Sequence, residues 1–163
     1  MSEANTLSRI VNKLNLLPGF ARSRALSLFF GQAVPFTGTV GIKVEELTHD
    51  RCVISLANKR RVQNHIGGVH AIASLLLAES ATGFMVGLNV PDDRVPVIKT
   101  VKGEYVKRGK GDMRVTASLS PEQVELIRTT EKGETSVPVE IRDGDDKEPI
   151  LIEMIWAWTP KRR

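Results

Sequence analysis

Asn64-His65-Ile66-Gly67-Gly68-Val69-His70-Ala71 runs directly into Ile72-Ala73-Ser74-Leu75-Leu76-Leu77-Ala78-Glu79-Ser80-Ala81-Thr82-Gly83-Phe84-Met85-Val86-Gly87-Leu88, and the fold turns on this stretch. Its apolar spacing predicts one long helix over roughly Val69–Leu88, closed by Asn89 and Pro91. That helix is apolar nearly all round. A helix without a polar face is expected to be buried on every side, so something must surround it.

The flanking sequence supplies the cover. Before it, Val40, Ile42 and Val44 alternate with Thr39, Lys43 and Glu45, the pattern of a half-buried strand. His49-Asp50 reads as a hairpin turn, with Cys52–Leu56 returning. After it come strands at Val97–Arg108, Met113–Leu119, Val137–Ile141 and Ile150–Trp158. Pro138 predicts an edge or a bulge. Ser120-Pro121-Glu122-Gln123 has the form of a capped helix start, running to about Thr130. Upstream, Leu7, Ile10, Val11, Leu14 and Leu17 recur at helical spacing, Pro18-Gly19 interrupts, and Ala21–Phe30 forms a second helix. The sum is an α+β chain: an antiparallel sheet wrapped round a long central helix, the hot-dog arrangement, behind an N-terminal helical extension. We divide it as 1–36 extension and 37–163 hot-dog domain.

Size and composition agree with one soluble domain. The chain has 163 residues, 41% hydrophobic and 26% charged. Its N-terminus lacks an apolar h-region, so no secretory signal is expected. No uninterrupted apolar run reaches membrane-spanning length; Val69–Val90 comes nearest, with Glu79 in its middle. The single cysteine, Cys52, forms no intrachain disulfide and no cysteine metal site. Three histidines without an HExxH pattern give no metal signal. A reducing, cytoplasmic setting fits. The net charge of +4 is concentrated in Lys107–Lys110 and Lys161-Arg162-Arg163. It fits either an anionic partner or an ordinary lysine-rich surface; no nucleic acid is expected. There is no phosphate-binding glycine loop and no GxSxG elbow.

Between Arg61 and Asp92, Glu79 is the only formally charged side chain. A carboxylate inside an apolar helix must find a cation, face a cavity or take up a proton. On the bare pattern, a catalytic acid and a core glutamate paired with an arginine, for instance across a dimer interface, are equally good readings. The segment ahead of the helix adds chemistry. Two glycines and the polar Asn64, His65 and His70 stand where free backbone N–H groups of a first helical turn would meet negative charge. In acyl transfer that charge is the developing oxyanion. Ala71 precedes Glu79 by eight residues, about 12 Å of helix. The gap requires either an extended thioester lying along the helix or a site shared with a second subunit.

The stretch Asn64–Ala71 with Leu77-Ala78-Glu79 resembles the signature of the hot-dog thioesterases of the phenylacetate-pathway type, and of a related bacterial hot-dog domain group of unknown function. Tyr105-Val106-Lys107-Arg108-Gly109-Lys110-Gly111-Asp112 is similar to that family's tyrosine strand and Lys-Gly-Asp turn. The resemblance covers roughly Thr37–Thr159. It implies an acyl-CoA thioesterase with Glu79 as nucleophile or general base and the Ala71 N–H polarising the thioester carbonyl. Asn64 would bind that carbonyl or position water, and His70 would orient the loop or the substrate. Gly67, Gly68 and His65 would line the mouth; Lys107, Arg108 and Lys110 are candidates for the CoA phosphates or a solvated turn. No cofactor is implied beyond CoA as part of the substrate, and no metal. The resemblance also implies a homodimer, or a dimer of dimers, in which the partner completes each site. Two positions depart from the pattern: Ala71-Ile72 stands where Gly-Gly often follows the histidine, and Gly83 where a Ser or Thr often follows the acid. They motivate a second expectation, a hot-dog protein that binds acyl-CoA or a fatty-acyl ligand without cleaving it.

Overall fold

The computed structural model describes residues 5–162. Residues 1–4 of the expected extension and Arg163 of the basic tail lie outside them. Three helices come first: α1 (Thr6–Leu14), α2 (Gly19–Ala33) and α3 (Pro35–Val40). Then follow β1 (Lys43–Leu47), β2 (Arg51–Leu56), a single 3-10 turn at Arg60–Val62, and the long α4 (Ala71–Asn89). The second half is β3 (Arg94–Tyr105), β4 (Met113–Ser118), α5 (Pro121–Thr129), β5 (Gly133–Ser136), β6 (Val139–Arg142) and β7 (Ile150–Pro160).

The strands pair antiparallel in the orders β1-β2-β4-β6 and β3-β7-β5. β5 and β6 are successive parts of one extended segment, broken at Val137-Pro138. At that corner the Val137 N–H donates to Met154 O at 2.9 Å, and the Ser118 N–H donates to Pro138 O at 3.0 Å. The segment therefore leaves β7 for β4, and the two sets of strands form one curved layer. α4 lies in its concave face, packed against β2, β3, β4, β6 and β7. Leu77, Ala78, Ala81, Met85 and Val86 are fully buried there. Each large apolar side chain so buried contributes ~1.5–3 kcal/mol.

Two expectations need correction. Val40, Ile42 and Val44 are all buried, but they do not form one strand. Pro35 opens a short helix at its first turn, and Gly41 closes it in the left-handed conformation at φ 79°. β1 starts only at Lys43, and α3 crosses the expected boundary at residue 36. Nor is α4 buried on every side. Ile72 is 58% exposed, and Leu75, Leu76 and Glu79 are half-buried. At spacings of three and four, Ile72, Leu76, Glu79 and Gly83 form a stripe that one chain covers only in part.

The extension is tied to the body by buried polar contacts. Asn5 caps α1 by accepting from the Ser8 N–H at 2.7 Å, and its amide donates to Gly87 O and Val90 O at the far end of α4. α2 lies along β1: Ser23 Oγ donates to Val44 O at 2.7 Å, and Ser27 Oγ accepts from the Val44 N–H at 2.9 Å.

Candidate functional site

Asn64–Gly68 is a tight loop whose ends meet in a bridge between Gln63 and Val69. Asn64 Oδ1 accepts from the N–H groups of Ile66 at 3.0 Å and Gly68 at 3.1 Å. Gly67 takes φ 78°, a conformation that glycine reaches without strain. The loop shape thus comes from the side-chain oxygen of Asn64 and one glycine. The Asn64 amide nitrogen is left for another partner.

The chain then enters α4 through His70. Its ring Nδ1 accepts from the Ile72 N–H at 3.1 Å, which places the ring proton on Nε2. His70 is therefore the helix N-cap, a structural task the sequence did not reveal. Among the described residues no acceptor meets the N–H groups of Ala71 and Ala73. These two donors remain at the positive end of a 19-residue helix.

A cavity of about 390 Å³ opens beside that helix end. Of the expected site residues it gathers Asn64, Gly68, Ala71, Lys107 and Arg108. His65, Gly67, His70, Lys110 and Glu79 do not line it. Tyr105, the start of the segment likened to the family's tyrosine strand, also lines the cavity, as do Ser74, Met113, Pro149 and Ile150, which were not site candidates from sequence. Tyr105 donates its hydroxyl to Ala71 O at 2.7 Å and so fixes β3 against the first turn of α4. Residue spacing could not show that contact, because it joins positions 34 apart. Arg108 reaches back to Ile66 O at 3.1 Å. Lys110 pairs with Asp145. Lys107 has no ion pair among the described residues.

Glu79 lies two turns further along α4, on the half-covered stripe. Burial pushes its carboxyl above the ordinary carboxylate range. The Ser80 hydroxyl opposes this weakly, since it makes no well-formed hydrogen bond. No Lys or Arg among the described residues lies within ion-pair distance of Glu79. A cation paired with Glu79 would therefore have to come from a second copy of the chain. Gly83, one turn on, is explained by packing. A Cβ there would stand 2.5 Å from the Trp156 ring. The Thr82 hydroxyl beside it is committed too, donating to Ala78 O and accepting from Trp156 Nε1 at 2.8 Å.

A curved antiparallel sheet around one central helix defines the class: this is a hot-dog fold. Within that class the chain belongs to the family described as a domain of unknown function, DUF4442, whose model matches residues 22–158. Solved structures agree on the fold. A Pseudomonas aeruginosa protein of unknown function, described as a probable thioesterase, is similar at 21% identity and a TM-score of 0.76, over 89% of this chain and 97% of that one. A Haemophilus influenzae thioesterase is similar at 13% identity and a TM-score of 0.66, over 85% and 90%. A second Pseudomonas aeruginosa thioesterase, in a glutamine-to-alanine mutant form, is similar at 18% identity and a TM-score of 0.65, over 82% and 92%. A search of curated proteins returns no match.

Proposed function

We propose that this protein hydrolyses acyl-CoA thioesters at a site built from two copies of the chain. The observation that carries the reading is Glu79: a desolvated carboxylate with no cation from its own chain, on the open stripe of the helix whose N-terminus faces the cavity. A carboxylate made more basic by burial suits proton removal from water. The separation of Glu79 from Ala71, about 12 Å of helix axis, favours a site in which the acid of one copy meets the helix N-terminus of the other. The open edge of β3, with Val95, Val97, Ile98 and Val101 exposed, is the surface suited to hold that second copy.

In this mechanism the thioester carbonyl oxygen lies against the Ala71 N–H and the Asn64 amide. Glu79 takes a proton from water, and the resulting hydroxide attacks the carbonyl carbon. The oxyanion is held by the same donors. The C–S bond then breaks, the acyl group leaves as the free acid, and the thiolate takes the proton held by Glu79 and leaves as CoA. Lys107 and Arg108 at the mouth provide charge for the CoA phosphates.

The second reading is an acyl-CoA binder that does not cleave its ligand. It is favoured by Gly83 and by the commitment of Thr82 to Trp156, which leave neither side chain to hold the attacking water. Thiol release across short, long and aromatic acyl-CoAs decides between the two. For hydrolysis, Glu79→Gln is expected to lower thiol release by on the order of 10²–10⁴-fold while acyl-CoA still binds. If the native protein binds the panel and releases no thiol, binding alone is the function. The same variant has a stability readout. A carboxyl raised in the folded state stabilises the fold fully below its unfolded pKa, and that contribution is lost as pH rises through the folded value. Glu79→Gln should therefore raise the melting temperature at neutral pH and leave it unchanged below about pH 4.

A further inference from the structure

Residues 5–42 contain Arg9, Lys13, Arg22 and Arg24 and no aspartate or glutamate. The turn between α1 and α2 within this segment presents five consecutive exposed residues, Leu16-Leu17-Pro18-Gly19-Phe20. Leu16 is 85% and Phe20 86% exposed. These are large apolar side chains held fully in water. The turn is shaped, because the Leu16 and Leu17 N–H groups bond to Lys13 O and Leu14 O, and the Asn15 amide anchors it to Leu47 O. α2 continues the surface with exposed Phe20, Arg24 and Leu28 at four-residue spacing, one face of the helix.

The charges around this tip that lack an ion pair have one sign, since Glu45 and Glu46 nearby are paired with Arg114 and Arg51. Arg9 is paired with Asp92, and Arg22 is half-buried beside Glu45 and Glu46. Lys13, Arg24 and Lys43 are exposed and without an ion pair among the described residues, and Arg24 and Lys43 line one groove with Phe20 and the Arg114-paired Glu45. Protruding leucine and phenylalanine ringed by free cations match a surface that is anionic outside and apolar beneath. A carboxylate-rich protein face would complement the cations but leave the protruding tip unburied.

We propose that the Leu16–Phe20 tip docks the protein on an anionic lipid surface, with Leu16, Leu17 and Phe20 entering the headgroup–acyl boundary and Lys13, Arg24 and Lys43 meeting lipid phosphates. The contact is peripheral; no helix of the extension crosses the bilayer. It does not depend on the hydrolase reading, since α1 and α2 pack at the β1 end of the sheet, away from the cavity.

The test is co-sedimentation of the full-length protein with phosphatidylglycerol–phosphatidylcholine vesicles and with pure phosphatidylcholine vesicles. The native chain should partition to the anionic vesicles at low salt and be released by high salt. Leu16→Ser/Phe20→Ser and, separately, Lys13→Glu/Arg24→Glu should each lower the partition coefficient by roughly tenfold or more, with melting temperature and oligomeric state unchanged. Three results overturn the proposal. The native protein stays in the supernatant with both vesicles. The Leu16→Ser/Phe20→Ser variant sediments as a smaller species, which makes the tip a contact between copies. Or the cations bind a duplex oligonucleotide as tightly as the vesicles, with no effect of the Leu16 and Phe20 changes.

Discussion

The two outer strands of the sheet are treated in opposite ways. β1 is closed by its own chain: Ser23 and Ser27 of α2 satisfy both the N–H and the C=O of Val44, as a neighbouring strand would. β3 is 12 residues long, lies at the other edge, and has no such cover. Its exposed side chains include Val95, Val97, Ile98 and Val101, interspersed with Lys99, Lys102, Glu104 and Tyr105. A long edge with four exposed valine and isoleucine side chains can pair with another strand. β3 packs against α4, whose partly uncovered stripe carries Ile72 and Glu79. The difference teaches where the chain is finished and where it is not. The β1 end is covered within one copy; the β3 end, which borders the cavity through Tyr105, is not, and the proposed function places the second copy there.

The largest effect should come from spoiling the open edge. Val97→Asp/Val101→Asp places charge on residues already exposed in one chain. The single-chain fold should survive, while sedimentation should show weakening of the dimer by on the order of 100-fold and thiol release should fall with it. Full dimerisation of that variant breaks the contrast between the edges. A smaller effect is expected at the closed edge. Ser23→Ala leaves the buried Val44 carbonyl without its donor, a loss of ~1–3 kcal/mol of stability seen in denaturant unfolding, with oligomeric state unchanged. The smallest effect is expected at Tyr105→Phe, which removes the bond to Ala71 O. That bond is exposed, so stability should drop by only ~0.5–1.5 kcal/mol. KM for acyl-CoA should rise more than kcat falls, because the change loosens the cavity wall rather than the acid.

Much of this was legible in the sequence, for reasons that were local. The capping box at Ser120 needs only its own turn, and both of its hydrogen bonds are present. The central helix announced itself by composition, and Glu79 by being the one charge within it. The misread strand at Val40–Val44 shows the limit: a two-residue rhythm of burial also arises when a short helix hands over to a strand at Gly41. Sheet order was not legible, because it depends on the corner at Pro138, where one segment changes neighbours. In the candidate site, Asn64, Gly68, Ala71, Lys107 and Arg108 were named from sequence and line one cavity, while His65, Gly67 and Lys110 do not. The N-cap role of His70 was missed because a histidine ring rarely advertises it. The reason for Gly83 was missed because the obstructing ring belongs to Trp156, 73 positions later by the two residue numbers. The role of Tyr105 at the cavity wall required the third dimension.

The central claim is that Glu79 of one copy works with the Asn64–Ala71 helix start of the other. Subunit complementation tests it most directly. Glu79→Gln and Asn64→Ala proteins, each deficient alone, are unfolded together, refolded as a mixture and assayed for thiol release. In a shared site, each mixed dimer contains one intact site and one doubly altered site. Roughly a quarter of the native rate should then return for a one-to-one mixture of two-fold dimers. If mixed dimers form and no activity returns beyond the sum of the parents, the site lies within a single chain and the account is wrong.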